Sequence, residues 1–177
     1  MIDRTKATAV AVGWWRSLQP DSPTADRAAL ARLRRCASVA EAMQDRASIT
    51  LFRRCAGAGP SELPRIAMLA AVLAHVREDR PGMPVARQLG PDDPDHPETA
   101  RMSVLRFRRV LEAPSSDEQL TAFRRLVAFA GGSLDVRDLA ASLLDWSEER
   151  RRRWIYDYWN AGQPANESSK PAEEATS

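Results

Sequence analysis

Four times along this chain, two apolar residues spaced three apart are followed directly by a pair of arginines. They are Leu30 and Leu33 before Arg34-Arg35, Ile49 and Phe52 before Arg53-Arg54, Val104 and Phe107 before Arg108-Arg109, and Leu120 and Phe123 before Arg124-Arg125. That spacing puts each apolar pair on one stripe of a helix and is out of phase with a strand, whose side chains alternate faces at every residue. Alternating β-branched runs are nearly absent, and alanine, leucine and arginine dominate. The chain therefore reads as all-α, a compact bundle of about eight helices.

The pattern predicts helices over residues 3–18, 23–37, 38–56 (one helix or two), 61–77, 99–112, 115–130, 135–145 and 147–160. Ser22 is the expected cap of the second, with Pro23 in its first turn, and Asp135 and Ser147 are expected caps near the end. Glycines at 57, 59, 131 and 132 act as stops. Residues 79–98 hold five prolines and two glycines, which predicts a long loop with room for one short turn and a candidate division between two small lobes. Residues 1–162 read as one helical domain, and 163–177, polar and without an apolar stripe, as a disordered tail.

Charge gives the first pointer to function. The chain has 177 residues, 44% of them hydrophobic, enough for a core. Its net charge of +2 hides an uneven distribution: residues 27–54 carry seven arginines against two acids, and 99–125 carry six against three. The only lysines are Lys6 and Lys170, so the basic character is almost wholly guanidinium. In each repeat the first arginine borders the apolar stripe, so its stem can lie on packed surface while its planar fork faces outward. Such forks suit phosphate oxygens. The pattern points to a polyanion partner rather than to chemistry, with solvated helix faces as the plain alternative.

No catalytic constellation is present. There is no phosphate-binding glycine loop, dinucleotide fingerprint or nucleophile elbow. His75 sits in an apolar stretch and reads as a packed residue. Asp92 to Glu98 gathers carboxylates around His96, donor types that suit divalent ions, but its prolines stiffen it and no second ligand cluster is evident. Cys36 and Cys55 are 19 apart with no nearby histidine pair, so neither zinc nor a disulfide framework is indicated. The expectation is a non-enzymatic protein with no cofactor and no metal. The opening residues lack the pattern of a signal peptide and no run is long enough to span a membrane, so a cytoplasmic location is expected.

The aromatic residues cluster near the ends: Trp14-Trp15, then Trp146, Trp154, Tyr156, Tyr158 and Trp159. Trp154 and Tyr158 share a helix face and read as core. Residues 27–35 and 101–109 also match at four arginine positions, which would place Arg27 with Arg34, and Arg101 with Arg108, on equivalent helix faces; this reads either as a faint internal repeat or as two similar amphipathic helices drawn from an arginine-rich composition.

Several of these residues together resemble a known family. Trp14-Trp15 with Leu18, then Asp26-Arg27-Ala28 with Leu30, Leu33, Arg34 and Arg35, is similar to the opening of the CasB family, the small subunits of type I-E CRISPR surveillance complexes (Cascade). Ser103 with Arg106-Phe107-Arg108-Arg109 resembles its central segment, and Leu139, Leu143-Leu144, Trp146, Trp154 and Tyr158-Trp159 its C-terminal signature. The resemblance implies a helical, non-catalytic subunit, two copies side by side, that helps hold the guide RNA and the opened target DNA, including its displaced strand, in antiviral defence. Its partners would be those nucleic acids and the other Cascade subunits. By that likeness Arg27, Arg34, Arg106 and Arg108 are candidate nucleic-acid contacts. Helix geometry adds Arg16, Arg35, Arg53, Arg101, Arg109 and Arg124. The competing reading is a helical adaptor whose arginines dock acidic protein surfaces.

Overall fold

The computed structural model describes residues 1–56 and 58–164; the predicted tail from 165 onward lies outside the described residues. Among the described residues there are ten α-helices: α1 (Arg4–Leu18), α2 (Arg27–Arg35), α3 (Val39–Gln44), α4 (Arg46–Arg54), α5 (Leu63–Leu73), α6 (Val85–Leu89), α7 (Val104–Glu112), α8 (Ser116–Phe129), α9 (Val136–Leu144) and α10 (Glu148–Tyr158). The fold is all-α, as the repeat spacing requires.

Short polar side chains set most helix starts. Asp3, Asp26, Ser38, Asp45, Ser115, Asp135 and Ser147 each accept a backbone N–H from the first turn of the helix that follows. Each such cap contributes about 1 kcal/mol. Two expectations change as a result. The second helix starts at Arg27 because the Asp26 carboxylate takes the Ala29 N–H at 2.8 Å, while Ser22 accepts from Thr24 in the turn before it. The segment 38–56 divides in two because Asp45 ends α3 and caps α4, accepting from Ala47 at 2.8 Å.

Helix α5 is the centre of the molecule. Ile66 through Leu73 are buried without a break, and the helix packs against α3, α4, α8 and α9. A helix apolar on every side can only be an interior one. The later helices contribute an aromatic cluster. Phe107 of α7 stacks on Tyr158 of α10 at 4.0 Å between ring centroids, and Phe123, Trp146 and Trp154 meet edge to face at 4.9–5.7 Å. The Tyr158 hydroxyl donates to the Met102 carbonyl at 2.6 Å, and the Trp154 indole to Ser142 at 2.9 Å. Burying these polar tips with partners removes the penalty of desolvating them.

Residues 79–98 hold more structure than a loop with one turn. Strand β1 (Glu78–Asp79) pairs in parallel with β2 (Ser133–Leu134). After it comes α6, with Val85, Ala86, Gln88 and Leu89 buried. Carboxylates at the start of α9 fasten the segment: Asp138 accepts from the Val85 N–H at 2.8 Å and Asp135 from Gly82 at 3.0 Å. Asp79 accepts in return from Val136 at 3.1 Å. A five-residue helix between prolines is too short for its periodicity to be read.

Candidate nucleic-acid interface

The arginines fall into two populations. The last carbonyls of any α-helix lack intrahelical partners, and in this protein guanidinium groups from other elements fill several of those positions. Arg124 of α8 donates to Cys36 O at 2.6 Å and to Leu33 O at 2.9 Å, closing the end of α2. Arg34 Nε donates to Ala74 O at 2.6 Å, closing the end of α5. Arg4 and Arg65 donate to Leu144 O at 2.7 Å and Leu143 O at 3.1 Å, closing the end of α9. A cation at a helix C-terminus also meets the negative end of the helix dipole. Burial lowers the pKa of Arg65 and Arg124 from its ordinary value.

Two of these side chains, together with Arg77, act on one histidine. Burial first, then the charges of Arg124, Arg34 and Arg77, push His75 from 6.5 down to about 4. The imidazole is therefore neutral in the folded protein, whereas an unfolded chain takes up a proton below about pH 6.5. The unfolded state binds more protons within that window. Stability from this group is complete above pH 6.5 and is lost as pH falls toward 4. His75→Gln should lessen the fall in denaturation midpoint across that range. Parallel pH curves for the variant and the parent would remove His75 from the account.

The second population is exposed. Among the described residues, no intramolecular ion pair or side-chain hydrogen bond involves Arg27, Arg35, Arg53, Arg101, Arg106, Arg108 or Arg109. Arg106 lies over the Phe129 ring at 5.0 Å, a cation–π contact that orients it without neutralising it. Arg16 is exposed but pairs with Asp79 at 3.2 Å. Arg101 precedes α7, whose N-cap is Ser103, so Arg101 and Arg108 do not share a helix face in the way Arg27 and Arg34 do. The predicted equivalence of residues 27–35 and 101–109 thus stops at the cap.

Two grooves gather these side chains. One, about 520 Å³, lies among α1, α2 and α4, where Arg46, Arg53 and Arg54 line it beside Arg32, whose Nε is held by Asp45 at 2.9 Å. The other, about 970 Å³, lies between α7 and α8 and carries Arg106, Arg109 and Arg125. The grooves thus unite Arg53 with one set and Arg106 with Arg109 in another. The second repeat differs from the expected register: α4 buries Ala47, Ser48 and Leu51, while Ile49 and Phe52 are only half-buried. Both Arg53 and Arg54 are exposed.

Arg46, Arg54 and Arg125 were not among the candidates drawn from the sequence. A signal for Arg46 existed: Asp45-Arg46 repeats Asp26-Arg27, a cap followed by a cation at the first helical position. A cation there opposes the helix dipole, and a local rule broken without internal compensation marks a functional position. For Arg125 the signal was the repeat itself, because the second arginine of each pair points away from the core.

Among the described residues, no group of three or more histidine, cysteine or acidic side chains is arranged to hold a metal ion, and no helix is long and apolar enough to cross a membrane. The overall fold defines a small all-α protein, and it is similar to that of a chain of E. coli Cascade in its crystal structure with a PAM-containing dsDNA target. The two match with a TM-score of 0.62 over 91% of this chain and 99% of that one, at 20% identity. The family model for CRISPR-associated protein Cse2 matches residues 29–159, and the chain belongs to that family, the one its sequence motifs resemble. No curated protein sequence matches significantly.

Proposed function

We propose that this protein is a non-catalytic subunit of a CRISPR RNA-guided surveillance complex, holding guide RNA and target or displaced DNA through backbone contacts and so stabilising the opened duplex. Family membership over residues 29–159 carries the reading. The exposed, unengaged arginines support it. Strand exchange between a DNA duplex and a guide heteroduplex is close to balanced, so contacts worth a few kcal/mol in total can tip it. Such contacts need only meet phosphates, which asks for charge and position rather than base-reading geometry.

The contacts proposed are Arg27, Arg35, Arg53, Arg101, Arg106, Arg108 and Arg109, with Arg46, Arg54 and Arg125 added from the grooves. Arg16 would act after giving up Asp79. Arg34 retains its two terminal nitrogens beyond its bond to Ala74. Arg124 is assigned to the scaffold. Residues 1–162 act as the binding unit. Exposed Leu105, Ile155 and Tyr156, at 58%, 42% and 46% exposure, are suited to contact with neighbouring subunits or a second copy.

Replacing Arg46, Arg53 and Arg54 together with alanine tests the reading within the assembled complex. Target DNA should be retained about tenfold or more less tightly, and the slope of log K against log salt should become shallower by about 2 to 3. Retention and salt slope equal to the parent's, in a variant that still assembles, would refute a backbone role for this groove.

A further inference from the structure

The groove between α7 and α8 differs from a plain phosphate track. Its floor is apolar, formed by Met102, Val110, Ala122 and Phe129. It also contains two carboxylates, Glu112 and Glu118. Glu118 is fixed in place, accepting from the Ser115 hydroxyl at 2.7 Å while its own N–H donates back to that hydroxyl at 3.2 Å. A phosphate seated on that floor would gain nothing from its apolar surface, and these acids offset part of the charge of Arg106, Arg109 and Arg125. An unpaired base gains from both: its ring buries apolar surface, and an exocyclic amine can donate to a carboxylate.

The guanidinium of Arg106 on the Phe129 ring supplies a flat cationic platform at 5.0 Å from the ring centroid. Bases stack on aromatic rings and on arginine planes alike. The floor is rigid, since the Met102 carbonyl is held by Tyr158 at 2.6 Å. At about 970 Å³ the groove has room for a nucleotide. Resting on the nucleic-acid reading above, we infer that the α7–α8 groove is a nucleobase slot: an unpaired base of a bound single strand stacks on the Arg106–Phe129 platform while its flanking phosphates meet Arg109 and Arg125.

The test compares a mixed-sequence single strand of about 15 nucleotides with an abasic strand of the same length. Both bind the full chain at low salt, followed by fluorescence anisotropy, with DNA and RNA versions run in parallel. The base-bearing strand should bind about fivefold or more tightly than the abasic one, in one or both chemistries. Ala128→Leu, at an exposed position on the groove wall, should crowd the slot without offering a ring to stack on, and should remove that preference without changing the melting temperature. Phe129→Ala should also remove the preference by deleting the platform, with some loss of stability because the ring packs against the core. Equal binding of the two parent strands would overturn the slot and leave the backbone reading standing. A preference surviving in Ala128→Leu would place the base elsewhere and also overturn it. Failure of the chain to bind either strand would overturn both readings for the free protein, and an acidic peptide that fills the groove more tightly than any oligonucleotide would make it a protein-docking site instead.

Discussion

Gly90→Ala should lower thermal stability by about 3 kcal/mol, or about 6 to 12 °C for a chain of this length. Gly90 ends α6, and its φ of −78° is open to any residue. Space, not conformation, demands glycine. A Cβ at that position would lie 2.7 Å from the Tyr158 carbonyl carbon and nearer still to its oxygen. The obstacle is the backbone of α10, so relief requires moving the helix that carries Trp154 and Tyr158 into the aromatic core. Gly13→Ala is the control. Gly13 lies in α1, and a Cβ added there would meet nothing within 4 Å, so alanine should stabilise by up to about 1 kcal/mol. Melting curves of both variants decide the matter. A Gly90→Ala protein that melts with the parent would show that α6 does not sit tightly against α10.

Arg124→Ala should cost about 2 to 3 kcal/mol, because it withdraws a charged fork from Leu33 O and Cys36 O at once. Arg124→Lys should recover little of the loss, since a single ammonium does not reproduce a planar fork that spans two carbonyls. Its neighbour behaves in the opposite way. Arg125→Ala should leave stability within about 0.5 kcal/mol of the parent and make the salt slope of nucleic-acid binding shallower by about 0.7 to 0.9. Denaturation midpoints and binding titrations on the two variants separate scaffold from interface. An Arg124→Ala protein with unchanged stability and a shallower salt slope would return that residue to the interface.

The helical class, the burial of Trp154 and Tyr158 and the caps at Asp135 and Ser147 were legible because each is written in a local pattern. The start of α2 was not: Ser22-Pro23 is a sound opening, but Asp26 offers a competing cap four residues on, and only Leu30 and Leu33 docking into the core chooses between them. Helix α6 was hidden because its buried face consists of residues too few to show a period. In α4 the visible pair Ile49 and Phe52 suggested one stripe, while Ala47, Ser48 and Leu51 form the buried one. Small residues give a weak hydropathy signal, yet they are what close helix packing requires.

By itself the sequence determined the periodicity of the elements, most of their ends, the excess of guanidinium groups and the family likeness. Each depends on neighbours within a turn or two, or on composition. The tertiary structure decided which arginines are spent and which are free. Arg124 and Arg125 are adjacent in sequence and chemically identical, yet one closes the end of α2 and the other lines an open groove. That difference is made by carbonyls about 90 residues distant in the chain, and no local pattern encodes where the end of another helix will lie.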